Sequence, residues 1–69
     1  MEFQLKADQE YIQLNNLLQV VQVAQTGGHA KIIIKNEDVT LNGEVELQIR
    51  KKIRKGDKIK IEELVINII

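Results

Sequence analysis

The sequence has 69 residues, with ten basic and ten acidic side chains, a formal net charge of zero, and neither cysteine nor proline. This length predicts one domain over residues 1–69, and without Cys the chain can form no disulfide and supply no thiolate for zinc or catalysis. Its apolar runs fall far short of the ~20 residues that span a bilayer, and the first residues lack a signal-peptide pattern. We therefore expect no membrane segment and a cytoplasmic location.

The charges are distributed unevenly along the chain. Residues 1–29 carry a balance of −2, and residues 30–60 carry nine bases against five acids, a balance of +4. Glu62 and Glu63 supply the remaining −2. Because the local sign of charge matters more for partner choice than the sum, the basic half of the chain predicts an anionic partner.

The first predicted elements are a short strand and a helix. Met1–Leu5 alternates weakly between polar and apolar residues, which indicates a short edge strand. Apolar residues then follow the i, i+3, i+4, i+7 spacing of one helix face, at Leu14, Leu17, Leu18 and Val21. We expect this helix to run to about Ala24 and to be well buried, because Val20 and Val23 widen its apolar stripe.

A second helix is predicted from Gly27 to Lys35. Thr26 suits its N-cap, because a threonine hydroxyl can accept a hydrogen bond from an unpaired amide of the first turn. The β-branched triplet Ile32–Ile34 fits a strand equally well by propensity, so the local sequence leaves both options open. Asn36 suits the left-handed residue that often closes a helix.

The rest of the chain has the pattern of a small antiparallel sheet. Val39–Leu41 and Val45–Leu47 alternate on either side of Asn42-Gly43, a dipeptide that favours a two-residue hairpin turn. The later elements are a turn at 55–57, a strand at 58–61, a turn at 62–63 and a strand at 64–69. The predicted fold class is α+β: a short N-terminal strand, two packed helices and a small antiparallel sheet.

The strongest functional signal is the basic segment, defined here as Arg50–Lys58. It contains five cations within six residues, namely Arg50, Lys51, Lys52, Arg54 and Lys55. On a strand, Lys51 would turn inward with Ile49 and Ile53, which is costly for an ammonium, so we expect a turn or bulge. A charged surface that only keeps the protein hydrated, without a binding function, would explain the same residues. The density of cations, with only Asp57 as a nearby acid, favours phosphate binding.

The start of the second predicted helix is the other candidate site. Its candidate contacts are Thr26, Gly27, Gly28, His29, Lys31 and Lys35. The glycines leave amides uncovered where the helix dipole favours an anion, and the two lysines, at i and i+4, would share a face beside them. An ordinary tight connection between helices explains these residues equally well.

The chain offers little for catalysis. His29 is the only histidine, and with no Cys or Ser it has no partner for a metal site or a nucleophile. We therefore expect a partly exposed surface histidine, no metal or cofactor, and no enzymatic activity.

Phe3 and Tyr11 are the only aromatic residues. Because proteins that bind single-stranded RNA stack its bases on aromatic side chains, this scarcity predicts recognition of the backbone and shape of structured RNA rather than of its bases.

Several segments, in matching order, resemble the small bacterial YaaA-like proteins, single-domain members of the S-four-type (alpha-L) RNA-binding family. The resemblance covers residues 1 to about 61 and is carried by Glu10–Leu14, Leu17-Leu18, Thr26–Lys31, Val39–Glu44 and Lys52–Ile59. It implies that residues 26–35 are helical. It also implies that Thr26–Lys31 and the basic segment together bind RNA. We expect a monomer whose partner is structured RNA, in particular ribosomal RNA, together with the ribosome or its assembly proteins.

The chain departs from the family pattern at two places. Gln48 and Ile49 precede Arg50 where the family often has an Arg-Arg-Gly run, and Asp8 and Glu10 lie where the wider family usually has Arg. These departures predict that the chain binds RNA more weakly than proteins that follow the family pattern. The alternative function is that of a protein–protein adaptor, with the apolar segment Val65–Ile69 adding as an edge strand to a partner sheet.

Overall fold

The computed structural model describes residues 1–69 as seven strands and two helices. In chain order these are β1 (Glu2–Phe3), β2 (Tyr11–Gln13), α1 (Leu14–Val20), α2 (Gly27–Lys35), β3 (Val39–Leu41), β4 (Glu44–Val45), β5 (Lys52–Arg54), β6 (Lys58–Ile61) and β7 (Leu64–Ile68). The predicted α+β fold class is confirmed. Neither helix combines the length and apolar character that a bilayer span requires.

The strands form two separate sheets. The larger has the order β1-β7-β6-β3-β4, in which β1 pairs parallel with β7 and the other pairs are antiparallel. The smaller is a two-stranded antiparallel ribbon of β2 and β5. The predicted edge strand near the start of the chain is confirmed as β1, but its parallel pairing makes the larger sheet mixed rather than purely antiparallel.

One apolar core joins both sheets and both helices. It contains 13 buried residues, none of them polar: Ile12, Leu14, Leu17, Leu18, Ala24, Ala30, Ile34, Val39, Ile53, Ile59, Ile61, Ile66 and Ile68. Because a two-stranded ribbon is marginal by itself in water, β2 and β5 depend on burying Ile12 and Ile53 in this core. The core therefore determines where the cations of the basic segment lie.

Helix α2 begins and ends where the sequence predicted. The Thr26 hydroxyl accepts a hydrogen bond from the His29 N–H at 3.0 Å, which confirms the N-cap. The isoleucine triplet is helical: Ile34 is fully buried, Ile33 is half-buried and Ile32 is exposed. This gradation is that of residues turning around a helix, since strand residues would alternate between two faces.

Helix α1 ends at Val20, so the prediction that it runs to about Ala24 is wrong. Gln22 takes a left-handed φ of 66°, its N–H donates to the Gln19 carbonyl, and the Val23 N–H donates to the Leu18 carbonyl. These bonds close the helix in a Schellman-type turn that satisfies its last carbonyls. Val20 is 59% exposed and does not widen the buried stripe.

Helix α2 closes in the same way, but its left-handed residue is not the predicted Asn36. Asn36 has an ordinary φ of −78°, and Glu37 is the left-handed residue, with φ 65°. The Glu37 N–H donates to the Ile34 carbonyl, and the Asp38 N–H donates to the Ile33 carbonyl. Both helices thus end on a left-handed residue that is not glycine, which removes the usual sequence signal for a helix end.

The hairpin predicted at Asn42-Gly43 is confirmed, with φ values of 53° and 91° that suit a turn with two left-handed residues. The returning strand β4 is Glu44–Val45 and not Val45–Leu47. The predicted turn at Glu62-Glu63 joins β6 to β7, with Ile61 paired to Leu64.

Strand β7 is an inner strand, which contradicts the expected edge strand for a partner protein. It pairs with β6 on one side and with β1 on the other. Beyond β1, the Leu5 N–H also donates to the Ile69 carbonyl at 2.9 Å. Both edges of the apolar C-terminal strand are therefore occupied, and strand addition there would require β1 to leave.

Candidate nucleic-acid interface

The centre of the basic segment is strand β5, which corrects the expected turn or bulge. Ile53 is fully buried and pairs with Ile12 of β2, while Lys52 and Arg54 on either side are exposed. A turn in which the Lys51 N–H donates to the Gln48 carbonyl at 3.2 Å interrupts the alternation. Ile49 and Ile53 can therefore both pack inward, while Lys51 is only half-buried and does not enter the core.

The outer face of the ribbon carries two cations and two neutral partners. In the antiparallel register Arg54 lies opposite Tyr11, and Lys52 lies opposite Gln13. Directly opposite side chains on one face of a sheet are close neighbours. No acidic residue is in register with either cation, so this face keeps its positive charge.

Asp57, the acid within the basic segment, serves the turn that follows β5. Its carboxylate accepts the Arg54 backbone N–H at 2.8 Å and the Asn42 side-chain amide at 3.1 Å. The Asn42 side-chain oxygen in turn accepts the Lys58 N–H at 2.9 Å. Gly56 completes the turn with a left-handed φ of 94°. The carboxylate thus links the Asn42-Gly43 turn to the turn after β5, and both of its oxygens accept hydrogen bonds from amide groups.

The loop before β5 is attached to the start of α1. The Leu14 N–H donates to the Lys51 carbonyl at 2.9 Å, and the Asn15 N–H donates to the Ile49 carbonyl at 3.0 Å. These bonds satisfy two amides of the first helical turn, where Gln13 makes no side-chain cap. Arg50 is exposed in the loop, and Lys55 is exposed just beyond β5.

The start of α2 leaves two backbone amides uncovered. His29 N–H is taken by the Thr26 hydroxyl and Ala30 N–H by the Thr26 carbonyl, so Gly27 and Gly28 hold the remaining amides of the first turn. A Cβ at Gly27 would meet no atom within 4 Å, and one at Gly28 would meet only the Thr26 hydroxyl at 3.9 Å. The fold therefore does not require glycine here for space.

His29 takes part in the cap and faces acidic neighbours. Its Nδ1 accepts the Gln25 N–H at 3.1 Å. Its side chain lines a cleft of about 330 Å³ together with Asp38 and Glu62. It is exposed, as expected, but these carboxylates make a phosphate contact less favourable there than at Lys31, which is also exposed.

The two parts of the candidate interface are both connected to α1. The loop at 49–51 is bonded to its first turn, and α2 follows its last turn after the connection at 21–26. Lys35 lies in the last turn of α2, where a cation also offsets the helix dipole.

Two residues of this surface escaped the sequence analysis. The Tyr11 ring has the Lys52 Nζ at 4.9 Å and the Arg54 Cζ at 5.6 Å from its centroid. Lys6 lines an open groove of about 610 Å³ that also contains Arg54, Lys55 and Glu10. The pairing of β2 with β5 brings Tyr11 to the basic segment across about forty residues of sequence. Lys6 is brought there by the C-terminus, since the Leu5 N–H donates to the Ile69 carbonyl and the Gly56 N–H to the Ile68 carbonyl.

Gln48 and Ile49, just before the basic segment, serve the fold. Ile49 is half-buried and packs against the core, and the Gln48 N–H donates to the Glu46 carboxylate at 3.0 Å. No group of three or more His, Asp or Glu side chains is arranged to hold a metal ion.

Comparison with known proteins decides the family. The model for the S4 domain matches residues 4–69. The chain belongs to this family. Among solved structures, the S4 domain is similar to YbcJ from E. coli, whose solution structure is described as having an alfaL motif involved in RNA binding. The TM-score is 0.73 at 26% identity, with 99% of this chain and 85% of YbcJ covered. No curated protein matches the sequence.

Proposed function

We propose that this S4 domain binds structured RNA through its phosphates, without catalysing a reaction on it. The observation that carries the proposal is the outer face of the ribbon, where Lys52 and Arg54 are exposed opposite neutral side chains. Exposed Arg and Lys that lack acidic partners are the groups that neutralise nucleic-acid phosphates. Membership of the S4 family and the RNA-binding motif of YbcJ support the same function.

The start of α2 is the proposed second contact. The uncovered amides of Gly27 and Gly28, with Lys31 on the next turn, can receive one phosphate, and Lys35 in the last turn of α2 can receive another. Contacts on separate elements of the fold favour a folded RNA whose phosphates are held at a fixed spacing. Ribosomal RNA is the partner class that we propose, because the surface offers many phosphate contacts and few groups for reading base edges.

We propose that residues 1–69 act as one monomeric unit. A single apolar core joins both sheets and both helices, which supports one domain. The two edge strands of the larger sheet, β1 and β4, are only two residues long. Such short edges offer little backbone for pairing with a second copy.

The test is RNA affinity measured across a salt series. With ~3–5 phosphates neutralised, the logarithm of the affinity should fall against the logarithm of salt concentration with a slope of about −2 to −4.5. The variant Lys52→Ala/Arg54→Ala should flatten this slope by ~1.4–1.8, since two phosphate contacts are lost. Adding Lys51→Ala and Lys55→Ala should flatten it further.

A control comes from β6, where Lys60 is exposed and lies outside the basic segment. The variant Lys60→Ala removes one charge, and its matched comparison is the single variant Lys52→Ala. Lys60→Ala should change the slope by less than half as much as Lys52→Ala. Equal effects of these two single variants, or an affinity insensitive to salt, would contradict the proposal. Co-purification with a protein and no nucleic acid would favour the adaptor function.

A further inference from the structure

We propose that Tyr11 is a stacking platform for an unpaired nucleotide of the bound RNA. This inference rests on the proposed RNA binding and adds a base contact to it. Tyr11 is the only tyrosine of a chain without tryptophan, and it lies half-buried on the outer face of the ribbon. Its backbone is fixed by pairing with Arg54, while the neighbouring Ile12 is anchored in the core.

The charge around the ring indicates what kind of ligand it meets. Two cations, Lys52 and Arg54, lie within 6 Å of the ring centroid. A phosphate bound to either one brings the base of its own nucleotide close to the ring. Aromatic side chains and guanidinium planes are the surfaces on which single-stranded bases stack. The ribbon therefore combines both groups that one nucleotide needs.

The magnitudes favour a base over the cations as the occupant of the ring face. An exposed cation–π contact with the ring strengthens binding by about 2- to 5-fold. A base stacked on the ring strengthens binding by about 5- to 150-fold. The two cations also gain phosphate contacts when they turn away from the ring. Gln13 lies on the same ribbon face and makes no cap bond with its amide, so that amide is free to meet a base edge.

The nucleotide must be unpaired, because a paired base has both faces covered by its neighbours in the helix. The ligand is thus an RNA helix carrying a bulged or extruded nucleotide. A fully paired helix would still bind through its phosphates but would leave the Tyr11 ring without a base.

The experiment compares a short RNA duplex carrying one bulged adenosine with the same duplex lacking the bulge. The wild-type protein should bind the bulged duplex about 5- to 150-fold more tightly. Tyr11→Leu should abolish this preference while keeping the affinity for the paired duplex, and Tyr11→Phe, which keeps a ring, should retain the preference. Because each variant is compared on two RNAs, a loss of stability cancels in the ratio.

Intrinsic fluorescence gives a second measurement that needs no variant. Tyr11 is the only tyrosine, so all tyrosine emission comes from the ribbon. The bulged duplex should quench it and the paired duplex should not, with a free tyrosine derivative as the control for absorption by RNA. Equal affinity, or equal quenching, for the two RNAs overturns the stack but leaves phosphate binding standing. Absence of salt-dependent binding to either RNA overturns both proposals.

Discussion

The glycines at the start of α2 allow phosphate binding to be separated from folding. A Cβ at Gly27 would meet open space, and the residue has no left-handed φ. Gly27→Ala should therefore fit the structure and should stabilise it by about 0.5–1 kcal/mol, because alanine loses less backbone entropy on folding. For a domain of this size, that corresponds to a rise in Tm of ~2–8 °C.

The same substitution should weaken RNA binding. The added methyl group would stand beside the uncovered amides of Gly27 and Gly28 and hinder a phosphate from reaching them. Loss of one hydrogen bond to a charged group costs about 1.5–3 kcal/mol, so the affinity should fall ~10- to 150-fold. Two assays test these predictions. Thermal unfolding is monitored by circular dichroism, and binding of structured RNA is measured at a fixed salt concentration.

The matched control is Gly56→Ala. A Cβ there would also meet nothing within 4 Å, but φ is +94°, which L residues rarely adopt. This variant should lose stability by ~1–2 kcal/mol for conformational reasons alone. An affinity unchanged by Gly27→Ala would refute the phosphate contact and leave an ordinary helix connection. A loss of stability at Gly27 comparable to that at Gly56 would refute the structural reasoning.

Two further predictions concern stability. Glu37→Gly should raise the free energy of unfolding by ~1 kcal/mol, because Glu37 has a left-handed φ of 65° at the end of α2. Urea denaturation measures this change, and Asn36→Gly is the control that should not stabilise the protein. Ile53→Ala should lower the free energy of unfolding by ~2–5 kcal/mol, because Ile53 is fully buried where the ribbon meets the core. Ile53→Val should lower it by only ~0.5–1.5 kcal/mol, and equal losses from the two variants would mean that this side chain does not anchor β5.

The sequence predicts α2 well because its start has a chemical signal. Thr26 can cap a helix through its side chain, and the two glycines after it break the preceding pattern. The end of α1 has no such signal. Gln22 takes the left-handed conformation that glycine usually supplies, so the apolar spacing continues past the point where the helix stops.

The site was predicted in composition but not in arrangement. The cations of the basic segment are visible in the sequence, and their density identifies the segment. Strands β2 and β5 are three residues each, too short for a periodic pattern to be read reliably. Their pairing is decided by burial of Ile12 and Ile53, and that tertiary event brings Tyr11 beside Lys52 and Arg54.

The parallel pairing of β1 with β7 has a consequence for the order in which the fold assembles. It aligns Glu2 with Asn67 and Phe3 with Ile68, so it closes the largest loop in the molecule. β1 has no other strand partner, so it can pair only after β7 has been made. We therefore expect folding to begin with the helices and inner hairpins and to finish at this edge. Substitutions in β1 should mainly accelerate unfolding and change the folding rate little.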